Sequence, residues 1–251
     1  MSGSFRENTQ QLLQQGLDLL FPPRCAGCQR HGHLLCPACL ESMQPCISYC
    51  SRCGLTPVAP GELCSACQQI RSPLHGVHCV HLYQGPLRHA IHALKYNGQQ
   101  RLARPLGLLL AEAFSRYHMY TDVILPLPLH AQRQRERGYN QATLLARVCA
   151  THLKVPCLED IIFRQRLTRP QVGLNALERQ QNVSGAFALT RSTWNQELSG
   201  RRVLLIDDVS TTGATLDACA GPLHTAGVSE VWGLVLAKPG KLVQDASKRM
   251  L

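Results

Sequence analysis

Aromatic residues are scarce in this chain: 2 Trp, 6 Tyr and 5 Phe make up 5% of 251 residues. Few flat surfaces are therefore on offer for unpaired bases, which counts against a protein that grips nucleic acid mainly by base stacking. Acidic residues are also in short supply. Lys and Arg number 26 against 16 Asp and Glu, a formal net charge of +10, so the expected partners are anionic: phosphates, nucleic acid or both. No apolar run approaches the roughly 20 residues needed to span a bilayer, and no transmembrane segment is expected. Nothing at the N-terminus reads as a secretory signal, which leads to the expectation of a cytoplasmic protein. The phosphate loop G-x-x-x-x-G-K-[ST] does not occur, and this excludes the common nucleoside-triphosphatase design.

Cysteine, in contrast, is abundant, with 13 in the chain. Eight of them form four C-x-x-C pairs: "CAGC" (Cys25, Cys28), "CPAC" (Cys36, Cys39), "CSRC" (Cys50, Cys53) and "CSAC" (Cys64, Cys67). Two intervening residues let both sulfurs turn toward one tetrahedral ion, each pair supplying half of a four-thiolate site. A reducing compartment disfavours disulfides, so the pairs predict two structural zinc ions. Sequential and crossed partitions of the pairs fit the spacing equally well. Cys46, Cys79, Cys149, Cys157 and Cys219 fall outside the pattern and read as small core residues.

The chain length accommodates one medium domain and a small one. We expect an amphipathic helix over residues 1–22, ended by Pro22-Pro23, a double zinc ribbon over 23–71, an α/β domain over 77–240 and a loose polar tail over 241–251. Within the α/β region helical and strand periods alternate. "VHCVHLYQG" and "DVILPLPL" read as strands, "RLARPLGLLLAEAFSRY" and "NQATLLARVCATHL" as helices, and "RVLLI" and "EVWGLVLA" as the last strands. Strands separated by helices imply a parallel sheet flanked by helices.

The most informative stretch is "RRVLLIDDVSTTGATLDACA", residues 201–220. A continuously apolar strand, Val203 to Ile206, ends in two acids, Asp207 and Asp208, at the edge where open α/β sheets bind ligands. Ser210, Thr211, Thr212, Gly213, Ala214 and Thr215 follow and lead into a helix. Backbone amides turning into a helix N-terminus cradle an anion, and hydroxyls add donors. Acids beside such a cradle would repel the phosphate, so they face something neutral and hydroxylated, or a metal ion. A sugar phosphate satisfies both demands.

That stretch resembles the phosphoribosyl-pyrophosphate (PRPP) signature of type I phosphoribosyltransferases. The resemblance implies that Asp207 and Asp208 hold the ribose hydroxyls with magnesium, and that residues Ser210 to Thr215 hold the 5′-phosphate. Two basic segments accompany it, "HAQRQRERGYNQ" and "FRQRLTRPQVGLNALERQQNVSGAF", whose guanidinium forks suit phosphate oxygens. With "LKYNG" and the four cysteine pairs, these segments resemble the ComF/GntX family. Its members join a double zinc ribbon to a phosphoribosyltransferase-like domain and are linked to natural competence and DNA uptake. The resemblance implies a type I phosphoribosyltransferase-like parallel sheet and places Arg133, Arg137 and Gly138 on a pyrophosphate loop, followed by Asn140 and Gln141. Arg164, Arg166, Gln171 and Arg179 fall on a flap over the anionic ligand. If the protein is catalytic, magnesium and the arginines stabilise departing pyrophosphate while an acceptor captures the ribose. No residue announces a nucleobase pocket, so the acceptor stays open. The alternative is a single-stranded DNA-binding competence factor, which uses the same basic loops and ribbons on DNA phosphates, alone or with competence machinery proteins. One departure is Pro222, which should kink the helix two turns beyond the phosphate loop.

Overall fold

The computed structural model describes residues 21–46, 50, 52, 58–59, 62–69, 72–166, 176–191 and 193–240. Residues 1–20 of the expected N-terminal helix, Cys53, Gln171, the side chain of Arg179 and the tail from Lys241 lie outside that description.

The ribbon region contributes two short helices, α1 (Pro37–Glu41) and α2 (Ser65–Gln69). The rest runs β1 (Gly76–Leu82), α3 (Gly85–Tyr96), α4 (Ala103–Arg116), β2 (Val123–Pro126), α5 (Ala131–Arg137) and α6 (Gln141–Leu153). Next come β3 (Ile162–Arg164), α7 (Ala176–Val183), β4 (Phe187–Leu189), α8 (Trp194–Leu198), β5 (Arg202–Val209), α9 (Ala214–Thr225) and β6 (Glu230–Lys238). Four strands form a parallel sheet in the order β1-β6-β5-β2, while β3 and β4 pair antiparallel in a separate two-stranded ribbon.

Both faces of the main sheet are covered, which explains the unbroken apolar run of β5. Leu204 and Ile206 face Leu87, Ile91, Leu106, Leu110 and Leu145 from α3, α4 and α6. Val203 and Leu205 face Leu216, Cys219 and Leu223 from α9. Burying Val, Leu or Ile side chains stabilises the fold by roughly 1.5–3 kcal/mol each. Alternate β5 residues therefore serve opposite cores, and no position is left for a polar side chain until the strand ends at the acids.

The first half of the cysteine-rich region is part of the same core. Leu35, Met43 and the thiols Cys25, Cys36 and Cys39 join the cluster that contains Leu87 and Val80. Its exit segment pairs along the outer edge of β1: the Cys46 amide donates to the Val80 carbonyl at 3.0 Å, and the Leu82 amide to the Gln44 carbonyl at 2.9 Å. An unpaired strand edge is thereby covered. Cys50, Cys64 and Cys67 form a separate small cluster with Val58 and Leu63.

The arginine-rich segment after β2, expected as a pyrophosphate loop, contains a two-turn helix over Ala131–Arg137. His130 caps it by accepting the Gln132 amide at 3.2 Å, and Gly138 ends it at φ +81°. The flap also contains regular structure: α7 and the β3–β4 pair frame it. Pro222 sits inside α9, which continues to Thr225 while the loop before it keeps its form. Proline lacks its own N–H and crowds the carbonyl one turn earlier, and its place in the last turn keeps both effects away from the phosphate loop.

Candidate functional site

The carboxyl end of β5 delivers Asp207 and Asp208 side by side, and alternation along the strand separates their surroundings. Asp208 is buried, with 3% side-chain exposure, and forms an ion pair with Lys95 from the last turn of α3. Its other oxygen accepts from Gln141 Nε2 at 3.2 Å. Burial alone would raise this carboxyl, but the Lys95 charge and donors hold it below its ordinary range. Asp207 accepts the Asp208 amide at 2.8 Å. Burial and then the adjacent Asp208 charge push its carboxyl well above the usual range. One acid of the pair is thus neutralised internally. The other has its charge opposed by burial and by its neighbour, and a cation or several hydroxyl donors would favour its ionised form.

Arg137 reaches the same centre indirectly. Its guanidinium donates to Gln141 Oε1, and Gln141 in turn donates to Asp208. The guanidinium also lies 5.2 Å from the ring centre of Tyr96, the residue after Lys95. The register that permits this is set by Asn140, which accepts the Ala142 amide at 3.0 Å and donates to the Leu127 carbonyl at 3.0 Å. Asn140 therefore caps α6 and ties it to the end of β2, which puts Gln141 over β5. The Tyr139 hydroxyl donates to the Leu94 carbonyl and fastens the same turn to α3.

The hydroxyl loop follows directly. Gly213 holds φ +76° at the N-cap of α9, a left-handed conformation that glycine adopts without steric cost. Asp207, Val209, Ser210, Thr211, Gly213, Ala214 and Thr215 line a small concavity there. The Thr212 hydroxyl accepts the Ala214 amide at 3.4 Å. A helix N-terminus, hydroxyls and an acid thus meet at one sheet edge.

The flap residues divide. Arg164 is paired by a parallel bridge to His130, at the start of the Arg133 helix, and its guanidinium lies 5.4 Å from the Phe187 ring centre. Burial and then the Arg133 charge lower its basicity, while Asp207 supports it, so these three residues share one electrostatic neighbourhood. Arg166 is engaged elsewhere. It donates to the Asn182 and Ser184 carbonyls at 3.1 and 2.8 Å, closing the C-terminal end of α7. Lys95 is the site residue that motif reading missed. "LKYNG" was its only signal, and nothing in that motif says that a lysine 113 positions before Asp208 will pair with it.

The thiols converge on two centres. The sulfurs of Cys25, Cys28, Cys36 and Cys39 lie within 4.8 Å of one another, as do those of Cys50, Cys64 and Cys67. This is the sequential partition. Cys28 and Cys36 sulfurs are 3.6 Å apart, close to the roughly 3.8 Å between thiolates on a tetrahedral zinc with Zn–S near 2.3 Å. The Cys36 amide points at Cys25 Sγ at 3.4 Å, and the Cys64 amide at Cys50 Sγ at 3.3 Å. Burial opposes charge on Cys25, yet amides of Cys28, Cys36 and Gly27 bring its thiol down to about 6. The donor set fits zinc. A Cβ on Gly27 would lie 2.7 Å from both Cys39 Sγ and Pro86 Cβ on α3. Gly27→Ala should therefore cost about 1–3 kcal/mol by overpacking and hasten zinc loss to a chelator. An unchanged melting temperature and release rate would show that the knuckle can shift freely.

Comparison with known proteins agrees with these centres. A family model of the double zinc ribbon domain matches residues 16–68. Over 225 residues the chain is 35% identical to Competence protein F of Haemophilus influenzae, covering 85% of this chain and 97% of that protein. It is 30% identical over 207 residues to the DNA utilization protein YhgH of Salmonella typhimurium, covering 80% and 89%. Competence protein ComFC of Bacillus subtilis is 26% identical over 206 residues, with 77% and 79% covered. Among solved structures, orotate phosphoribosyltransferase from Aeropyrum pernix matches 66% of this chain and 73% of its own, at 17% identity and a TM-score of 0.36. That score is too low to carry an argument, and the architecture stands on the strand order described above. With a relative this similar along nearly its full length, the chain belongs to the ComF family of competence proteins.

Proposed function

We propose that this protein binds PRPP, with magnesium, at the carboxyl edge of its sheet and serves the uptake or use of DNA. The observation that carries the reading is the contrast within the acid pair. Asp208 is satisfied by Lys95 and Gln141. Asp207 is held above its ordinary range beside a hydroxyl loop that opens a helix. An acid in that position gains most from a hydroxylated sugar or a bound cation, while the helix N-terminus takes the phosphate. In this reading residues 210–215 hold the 5′-phosphate and Asp207 the ribose hydroxyls or the magnesium. Arg133 and Arg164 meet the pyrophosphate, and Arg137 positions the centre through Gln141. Magnesium would supply charge neutralisation for the pyrophosphate oxygens. The link to DNA rests on relatives called competence and DNA utilization proteins. The eight paired cysteines, Cys53 included, would hold two zinc ions.

The test is Asp207→Asn. A charge-assisted hydrogen bond contributes about 1.5–3 kcal/mol, so PRPP affinity, titrated calorimetrically with magnesium, should fall at least about tenfold. The melting temperature should barely change, because Lys95 pairs with Asp208 and not with Asp207. Undiminished PRPP affinity in a folded variant would refute the assignment.

A further inference from the structure

We infer that the opposite, N-terminal edge of the sheet carries a second site, an aromatic slot for the base of a nucleotide. His78 of β1 stacks between Tyr117 and Trp232, with ring centres 4.5 and 5.5 Å away and interplanar angles of 20° and 16°. Each flanking ring is held by its polar end. The Tyr117 hydroxyl donates to the Cys79 carbonyl at 3.0 Å, and the Trp232 indole N–H to Glu230 at 2.9 Å. Burial lowers His78 below the usual imidazole range.

These rings line a cavity of about 210 Å³ together with His118, Met119, Tyr120, Arg202 and Glu230. Tyr120 is 73% exposed. A large ring left in water beside a cavity is what a closed core would avoid. The charged side is fixed as well and carries both signs, since Glu230 lines the same cavity. Arg202 Nε and Nη2 donate to Asp122 at 3.2 and 2.9 Å, and Arg201 adds its charge to the same carboxylate. Rings held rigid beside paired donors and acceptors suit a flat ligand with a polar edge. A nucleobase has that form, whether it comes as a free nucleotide or as an unpaired base of a single strand. The scarcity of aromatics therefore misleads, because several of those present are gathered at one edge.

The slot is independent of the PRPP reading, since it lies at the other ends of the strands. Zinc-replete protein carrying Trp194→Phe keeps Trp232 as its one indole. Adenosine monophosphate and a short single-stranded oligodeoxyadenylate, added separately, should change Trp232 emission, and saturating PRPP should leave the signal in place. Equal affinities per base would identify free nucleotides as the ligand; tighter, salt-dependent binding of the oligomer would identify a single strand. Tyr120→Ala, an exposed change that spares the fold, should weaken binding about tenfold, the usual scale for losing one stacked ring. Arg202→Ala should weaken it further. Unchanged Trp232 emission with both probes at millimolar concentration would overturn the inference, and so would binding that survives Tyr120→Ala and Arg202→Ala undiminished.

Discussion

Cys25→Ser with Cys28→Ser is expected to destabilise the whole protein, whereas Cys50→Ser with Cys64→Ser is expected to leave the α/β domain folded. Structural zinc supplies folding energy on the order of 10 kcal/mol, so either change removes a large local contribution. What differs is the surroundings. Cys25, Cys36 and Cys39 belong to the cluster that includes Leu87, Ile91 and Val80. The segment leaving this knuckle closes the edge of β1 through Gln44 and Cys46. Releasing the first centre should therefore open that edge, expose Leu35 and Met43, and lower the main melting transition. Among the described residues the apolar neighbours of the second centre are Val58 and Leu63, separate from the main core, and its loss should remain local. Elemental analysis should give two zinc ions in the parent and one in each double variant, with calorimetry separating the transitions. Equal effects of the two double variants on the main transition would contradict this asymmetry.

Lys95→Met should lower stability by roughly 3 kcal/mol. Removing one partner from a buried ion pair costs about 3–5 kcal/mol, and Lys95 retains 18% side-chain exposure against 3% for Asp208, which places the loss at the lower end. For a chain of this size that is a drop on the order of 10 °C in the melting temperature. The reason is specific: Asp208 would keep the Gln141 donor but lose its counter-charge in a buried setting. It would then have to take up a proton, and the Arg137–Gln141 link would loosen with it. Adding Asp208→Asn should recover part of the loss, because an amide needs no counter-charge. A double-mutant cycle in thermal melts measures the coupling. Additive losses would mean that water replaces the ammonium group.

The stretch that ends in Asp207 and Asp208 shows where local sequence is sufficient. Val203 to Ile206 announce a strand buried on both faces, and Asp207, Asp208 and the hydroxyl run follow at a fixed local spacing. The geometry of that stretch is dictated by neighbours in the chain, so strand, acids and Gly213 at a left-handed turn could be anticipated. The cysteine pairs were legible for the same reason, since the two-residue spacing within each is local. Arg164 was legible as a basic residue near the site, although its bridge to His130 was not.

Long-range pairing decided everything else. The sequence treats Asp207 and Asp208 alike, and only the packing of α3 and α6 over β5 assigns Lys95 and Gln141 to one of them. The partition of the cysteine pairs could not be read from spacing, because each half-site is complete in itself. Which halves meet depends on how the loops between them fold. The arginine-rich segment shows no apolar stripe because its side chains are polar all round, yet His130 and Gly138 close it into a helix. The two basic arms met different ends too, Arg137 turning toward the acids and Arg166 toward the end of α7. Residue type and local order thus determined what chemistry this protein carries. Tertiary contacts between residues far apart in the chain decided which groups are neutralised, which face a ligand, and which merely hold the others in place.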